Sequence, residues 1–275
     1  MAITTADGWF AASKQKVFLM KNQSVATTAG NLYSQWDRTG NPGAGTLAVN
    51  NVTTGVLFTA STTGAPLINA FGGSATGYLA AGRYRNAVTG SCILYDRIFG
   101  AFGQATNLAS ATPVTLTAPV DYSSRLPGGT DYGNLEILLE VVVTAASAST
   151  VTIGYTNQSN VTGRTAVSGT INGANFAANR LISLPLQAGD TGVKAINSMT
   201  VGGTTSATGQ VNVIVARRLA VFDIRIANSM DAQAWDMIGG PVVFATSCLW
   251  PTFSTDAAQS ANAILPTLDL DIING

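Results

Sequence analysis

The sequence contains no histidine, and its 275 residues include only 14 basic and 14 acidic side chains. Without an imidazole it lacks the usual general base and the commonest metal ligand. Ser-His-Asp and Cys-His nucleophile systems are thereby excluded. Only two cysteines occur, Cys92 and Cys248, far apart and each following a serine inside a predicted strand. Such a pair reads as buried thiols in a reducing compartment rather than as a disulfide framework or metal site. A disulfide stays open if the two strands are neighbours. Long apolar runs are also missing: the most apolar stretch, Leu135 to Val143, is interrupted by Glu136 and Glu140 and falls short of the ~20 residues that span a bilayer. Met1 to Asp7 lacks the basic start and apolar core of a secretory signal, so synthesis in a cytoplasm and no membrane partner are expected.

Charge is scarce as well as balanced. A net charge of zero and a pI near 6.2 argue against a phosphate-binding surface, so no nucleic-acid partner is expected. Zero net charge also removes the self-repulsion that keeps proteins apart. With 46% hydrophobic residues and 29 glycines, the surface is left to Thr, Ser, Asn, Gly and Ala, which suits burial against other subunits.

From about Gly77 onward the chain reads as strands. Asn134 to Thr144 alternates Leu135, Ile137, Leu139, Val141 and Val143 with Glu136, Leu138, Glu140, Val142 and Thr144, the period that places neighbours on opposite faces. Val151 to Thr156 follows closely, predicting a hairpin. Similar runs lie at Tyr78–Arg85, Cys92–Phe99, Val114–Thr117, Leu181–Leu186, Ala195–Val201, Val211–Ala216, Val242–Leu249 and Leu268–Ile273, separated by Gly, Asn, Asp and Pro clusters. Many short strands without helical crossovers predict a mainly β fold, an antiparallel β-sandwich or jelly roll, over residues 76–275. Residues 1–75 read as a short helical segment and an extended arm. A helix capped by Asp7 is expected over Trp9 to Met20 and a second over Asn31 to Arg38, then turns at Gly40 to Gly45 and weakly patterned chain from Val49 to Gly73. Asn228 to Gly240 is expected to hold a helical turn.

Few side chains are placed for chemistry. Glu136 and Glu140 on one strand face stand roughly 13 Å apart, beyond the roughly 5–9.5 Å of glycosidase carboxylate pairs, and read as solvent-facing charges. Asp269 and Asp271 fall about 7 Å apart on one face of the last strand, without the oxygen-rich loop that calcium needs. Ser13 to Lys16 matches Ser-x-x-Lys, but its companion motifs are absent. Sequons at Asn22, Asn51, Asn157 and Asn160 are what a Thr- and Asn-rich chain produces by chance. No catalytic, cofactor-binding or metal-binding residue is assigned. Arg83 and Arg85 should share a strand face and suit salt bridges to a partner subunit; Arg217 and Arg218 form a second basic pair.

Several stretches together resemble structural proteins of tailed-bacteriophage virions: Gly90-Ser-Cys-Ile-Leu-Tyr-Asp-Arg97, Asn134-Leu-Glu-Ile-Leu-Leu-Glu140, Val151-Thr-Ile-Gly-Tyr-Thr-Asn157 with Gly163-Arg-Thr165, Leu184-Pro-Leu-Gln-Ala-Gly-Asp-Thr-Gly-Val193, and Ser247-Cys-Leu-Trp250. The resemblance implies a β-rich, oligomeric, non-enzymatic head decoration or cement protein. It would sit on the capsid surface, with the major capsid protein and copies of itself, as a homotrimer, for partners. Trp9, Phe10, Phe18 and Trp36 would then serve as interface residues, alongside Arg83 and Arg85. A tail, collar or baseplate component is the nearest alternative. A glycan-binding module would need an exposed platform from Trp36, Tyr122 or Tyr132. An enzyme would need carboxylates brought together by the fold, such as Asp96 with Asp121.

Overall fold

The computed structural model describes residues 3, 5–21, 25–47, 54–72, 76–103, 114–116, 120–144, 148–171, 176–203, 209–260 and 266–274. In chain order these residues form α1 (Ala6–Ala11), β1 (Ser13–Lys21), β2 (Leu32–Ser34), β3 (Gly40–Asn41), β4 (Val56–Leu57), β5 (Thr76–Asn86) and β6 (Gly90–Ala101). Then come β7 (Val114–Thr115), two single 3-10 turns at Ser123–Arg125 and Pro127–Gly129, β8 (Leu135–Val143), β9 (Ser149–Asn157) and β10 (Arg164–Val167). The rest are β11 (Arg180–Leu184), β12 (Val193–Gly203), β13 (Gln210–Ile224), β14 (Ser229–Ala234), α2 (Trp235–Ile238), β15 (Val242–Phe244), β16 (Leu249–Thr255) and β17 (Thr267–Asn274). The fold is mainly β and antiparallel. Two compact units share the chain: the first collects Met1–Gly45, Thr59–Asp96 and Leu219–Gly275, the second Thr46–Phe58 and Arg97–Arg218.

In the first unit one sheet runs β14-β5-β17-β1-β3, with β15 also on β5, and β2, β16 and β6 pair in a second. The core takes Val17 and Leu19 from β1, Leu79 and Tyr84 from β5, and Leu268, Leu270 and Ile272 from β17. Cys92 and Leu94 of β6, Leu249 of β16 and Phe222 of β13 also belong to it. Gly82 lets two layers touch, since a Cβ there would stand 2.3 Å from the Phe222 ring. β6 and β16 are indeed neighbours, yet the register sets Cys92 opposite Phe253, away from Cys248, and both thiols are free and buried.

In the second unit β10-β9-β12-β7 form one sheet, and β8 pairs with both β11 and β13 in another. Val151, Ile153 and Tyr155 of β9 and Val193, Ile196 and Met199 of β12 cluster with Leu135, Ile137, Leu139 and Val141 of β8 and Val211, Val213 and Val215 of β13. The predicted β8–β9 hairpin is therefore corrected. β9 pairs with β10 and β12 instead, in the other sheet of the unit.

The N-terminal expectations also change. α1 ends at Ala11, and its cap is Thr5, whose Oγ1 accepts from the Gly8 N–H at 3.1 Å, rather than Asp7. Ser13 to Lys21, expected to continue the helix, is a strand that pairs with β17 from Ser13↔Asn274 to Met20↔Thr267. Val17, Leu19 and Lys21 are buried and Lys16, Phe18 and Met20 exposed, so pairing and burial of one face outweigh the helix formers' intrinsic preference. The helix expected at Asn31–Arg38 is β2 followed by a turn. Lys21 donates to the carbonyls of Arg38, Pro42 and Gly43, each at 3.0 Å, and so fixes the turn at Gly40 to Gly45. The extended arm expected from Val49 to Gly73 falls outside the described residues at 49–53 and 73. Where described it places Ile68 and Phe71 in the first unit's core, while Val56, Leu57 and Leu67 are exposed. Asn22 and Asn51 also lie outside the described residues. The helical turn expected in Asn228–Gly240 is α2, preceded by β14.

Candidate interaction surface

The outer face of the six-stranded sheet is built by register. β5 aligns with β17 through Arg85↔Thr267 and Arg83↔Asp269. β17 aligns with β1 through Thr267↔Met20, Asp269↔Phe18 and Asp271↔Lys16. β14 adds Met230 opposite Arg85 and Ala232 opposite Arg83. Because alternate residues point to opposite faces, while Tyr84, Leu268, Leu270, Val17 and Leu19 fill the core, the others share the outside. One row reads Met230, Arg85, Thr267, Met20; the next reads Ala232, Arg83, Asp269, Phe18. Phe18, Arg83 and Arg85, distant in sequence, thus stand on one surface.

Charge on this face is partly paired. Arg83 Nη2 donates to Asp271 Oδ2 at 2.9 Å, and Lys16 Nζ lies 3.5 Å from Asp271 Oδ1. The Lys16 pair is exposed and holds little energy. Arg85 Nε approaches Met230 Sδ at 3.4 Å. A shallow groove of about 450 Å³ lies where β5 ends and β14 begins, lined by Arg85, Asn86, Asn228 and Met230.

Aromatic rings gather by α1 and α2. Trp9 packs against Tyr78 of β5 at 5.9 Å and against Trp235 at 5.5 Å, both tilted. Tyr78 lies between buried Gly77 and Leu79 and so faces outward with Arg83 and Arg85. Neither helix buries a residue fully, and Phe10 and Met237 are each 68% exposed. The sequence pointed to Trp9 and Phe10; it placed Tyr78 in a strand and Trp235 in a helical turn but gave no sign that they and Met230 share this surface, which follows only from pairing.

Trp36 is corrected. It is 2% exposed, with its indole against Gly45, where any Cβ would come within 2.3 Å of Nε1. The absent side chain makes room for the ring, so Trp36 offers neither an interface nor a glycan platform. Tyr122 is buried too, donating to the Val193 carbonyl at 2.7 Å, whereas Tyr132 is half-buried.

No family model matches this sequence, and no curated protein is similar to it. Among solved structures, it superposes on that of the infectious bursal disease virus Gx strain at a TM-score of 0.25 and 8% identity, covering 95% of this chain and 80% of that one. The VP2 subviral particle of the same virus gives 0.23 and 10%, again covering 95% and 80%. Values this low establish neither a common fold nor a common function.

The carboxylates singled out in the sequence serve the fold. Glu140, expected to face solvent, is fully buried: Arg97 donates to it from Nη1 at 2.9 Å and Nη2 at 2.7 Å, and Asn212 Nδ2 donates at 2.9 Å. Its strand is covered on both sides, which an alternating pattern with polar breaks conceals. Glu136 pairs with Arg218 at 2.8 Å. Asp96 and Asp121 belong to different units. Asp96 accepts from Ser247 Oγ at 2.8 Å and the Cys248 N–H at 2.9 Å, and Asp121 from the Ser123 N–H at 2.8 Å. Asp190 accepts from Arg164 Nε and Nη2 at 2.9 and 2.7 Å, from the Tyr155 hydroxyl at 2.6 Å and from Asn157 at 2.7 Å. The Arg164 guanidinium holds the Asp190 carboxyl far below the usual carboxylate range, while burial and the Asp190 contact push Tyr155 up to about 12. Among the described residues no cluster of three His, Cys, Asp or Glu could hold a metal, and no helix is long and apolar enough to cross a membrane.

Proposed function

We propose that this protein is a non-enzymatic virion structural protein, a capsid decoration or cement protein that docks on a major capsid lattice and associates with its own copies as a homotrimer. The observation that carries the reading is the outer sheet face, where exposed Phe18, Met20 and Met230 lie among Arg83, Arg85 and Asp269, with the Trp9–Tyr78–Trp235 ring cluster on the same sheet. Single exposed apolar residues are ordinary; a concentration of them on one side, interleaved with charge, marks a protein interface. Repetition of a modest contact over a lattice would multiply its strength. The sparse charge and the resemblance of the strand and turn sequences to tailed-bacteriophage virion proteins support the same reading.

Co-sedimentation with purified capsid shells tests it. The native protein is expected to bind, and Phe18→Asp combined with Arg83→Glu to remove binding while the circular dichroism spectrum is kept. Undiminished binding by that variant would move the interface elsewhere. Failure of the native protein to bind shells, with retention on purified tails, would assign it to the tail, collar or baseplate instead.

A further inference from the structure

A cleft of about 520 Å³ opens on the second unit, between the segment from Val120 to Tyr132 and strands β9 and β12. Its size falls within the roughly 300–1,000 Å³ of small-molecule sites. Its walls differ from the usual apolar lining, and three features narrow the ligand.

The first is charge. Asp121 and Lys194 are the cleft's carboxylate and ammonium, so their charges offset and neither an anion nor a cation is selected. Asp121 accepts from the Ser123 N–H at 2.8 Å and its hydroxyl at 3.1 Å, which fixes the carboxylate in place and keeps it ionised as an acceptor. The second is hydrogen-bonding capacity. Lys194 Nζ donates to Asn160 Oδ1 at 2.9 Å, one of the three donors of an ammonium. Asn197 Nδ2 donates to Thr156 Oγ1 at 3.1 Å, which orients its amide at the wall. The third is the Tyr132 ring. It packs edge-on to Tyr122 at 5.9 Å and carries Lys194 Nζ over its ring at 5.7 Å, so a braced aromatic ring, with an ammonium on a long flexible stem above it, stands among donors and acceptors.

A ligand with an apolar C–H face and many hydroxyls, each able to donate and accept, matches this set; a phosphate would meet Asp121. We propose that the cleft binds a neutral saccharide, with Tyr132 stacking on the ring, Asp121 accepting from hydroxyls, and Lys194 and Asn197 donating. This site is independent of the docking face, whose residues all belong to the first unit.

Saturation-transfer NMR on the full chain tests the assignment, using methyl glycosides of glucose, galactose and N-acetylglucosamine, their disaccharides, and glucose 6-phosphate as the anionic arm. Transfer to the C–H protons of at least one neutral sugar is expected, with millimolar affinity. Asp121→Asn and Asn197→Ala should each weaken it about tenfold, and Lys16→Ala should leave it unchanged. Asp121 is exposed, so its replacement is expected to keep the fold, which an unchanged circular dichroism spectrum checks. Transfer to disaccharides alone would assign the cleft to a polysaccharide chain, and transfer to the methyl glycosides as well to a terminal or free sugar. Silence across all neutral sugars, transfer to glucose 6-phosphate alone, or undiminished transfer in both variants would overturn the proposal.

Discussion

Arg97 and Glu140 form a fully buried, bidentate ion pair, and its energetics decide what a substitution there does. Removing one partner leaves an uncompensated charge in a low-dielectric site, at about 3–5 kcal/mol. Glu140→Ala is therefore expected to lose that much in urea denaturation, while Arg97→Met combined with Glu140→Leu should lose markedly less than the two single changes summed. Asp190 contributes to acid behaviour. Its folded pKa lies below its ordinary value of 3.8, so its contribution is complete above that value and disappears as pH falls through the folded pKa. Asp190→Asn should lower the denaturation midpoint at neutral pH, and its midpoint should vary less than the native one as pH drops below 3.8. Cys92 and Cys248 are free and buried, and burial pushes the Cys92 thiol up. Both thiols should resist Ellman's reagent in the native protein and react once guanidinium unfolds it. Their lack of pairing was open in the sequence, because adjacency of β6 and β16 is a necessary condition and register the deciding one.

At the scale of elements, β1 shows where sequence patterns compete. Residues 13–21 offer Lys, Gln, Leu and Met, which favour helix, and also an alternation in which Val17 and Leu19 face one way and Phe18 and Met20 the other. The presence of β17 settles the contest, since eight aligned pairs and one buried face outweigh intrinsic preferences of a few tenths of a kcal/mol per residue. Val17→Asp should accordingly destabilise by about 2 kcal/mol or more, because it buries a charge without a partner. Phe18→Ser should stay within about 0.5 kcal/mol, as expected of a surface position. Urea midpoints for the two variants check this, because a helix would not be expected to separate adjacent residues so sharply. β17 was legible because its alternation agrees with its burial, and β6 because an apolar run between turn residues marks a strand, though its continuous burial from Tyr95 onward is not an alternation. β8 and β9 were legible as strands but not as partners: short connections favour hairpins, and the sheets each strand joins depend on residues far along the chain.

At the scale of the whole molecule, the first unit is assembled from three separated stretches and the second from two. Membership of a unit is a property of contacts between distant segments, which no local pattern records. The proposed assembly predicts that the purified chain, 28.2 kDa as a monomer, sediments at micromolar concentration as a trimer; a monomer without affinity for shells would remove the reading. By itself, the sequence determined the absence of imidazole chemistry, the scarcity of charge and the antiparallel β character, because these follow from composition and from the period of two. Tertiary structure alone decided that Phe18 joins Arg83 and Arg85 on one face, that Trp36 is sealed against Gly45 and that Glu140 is buried with Arg97. Each of those depends on strand register or on a partner from elsewhere in the chain, and neither is encoded in the spacing of neighbouring residues.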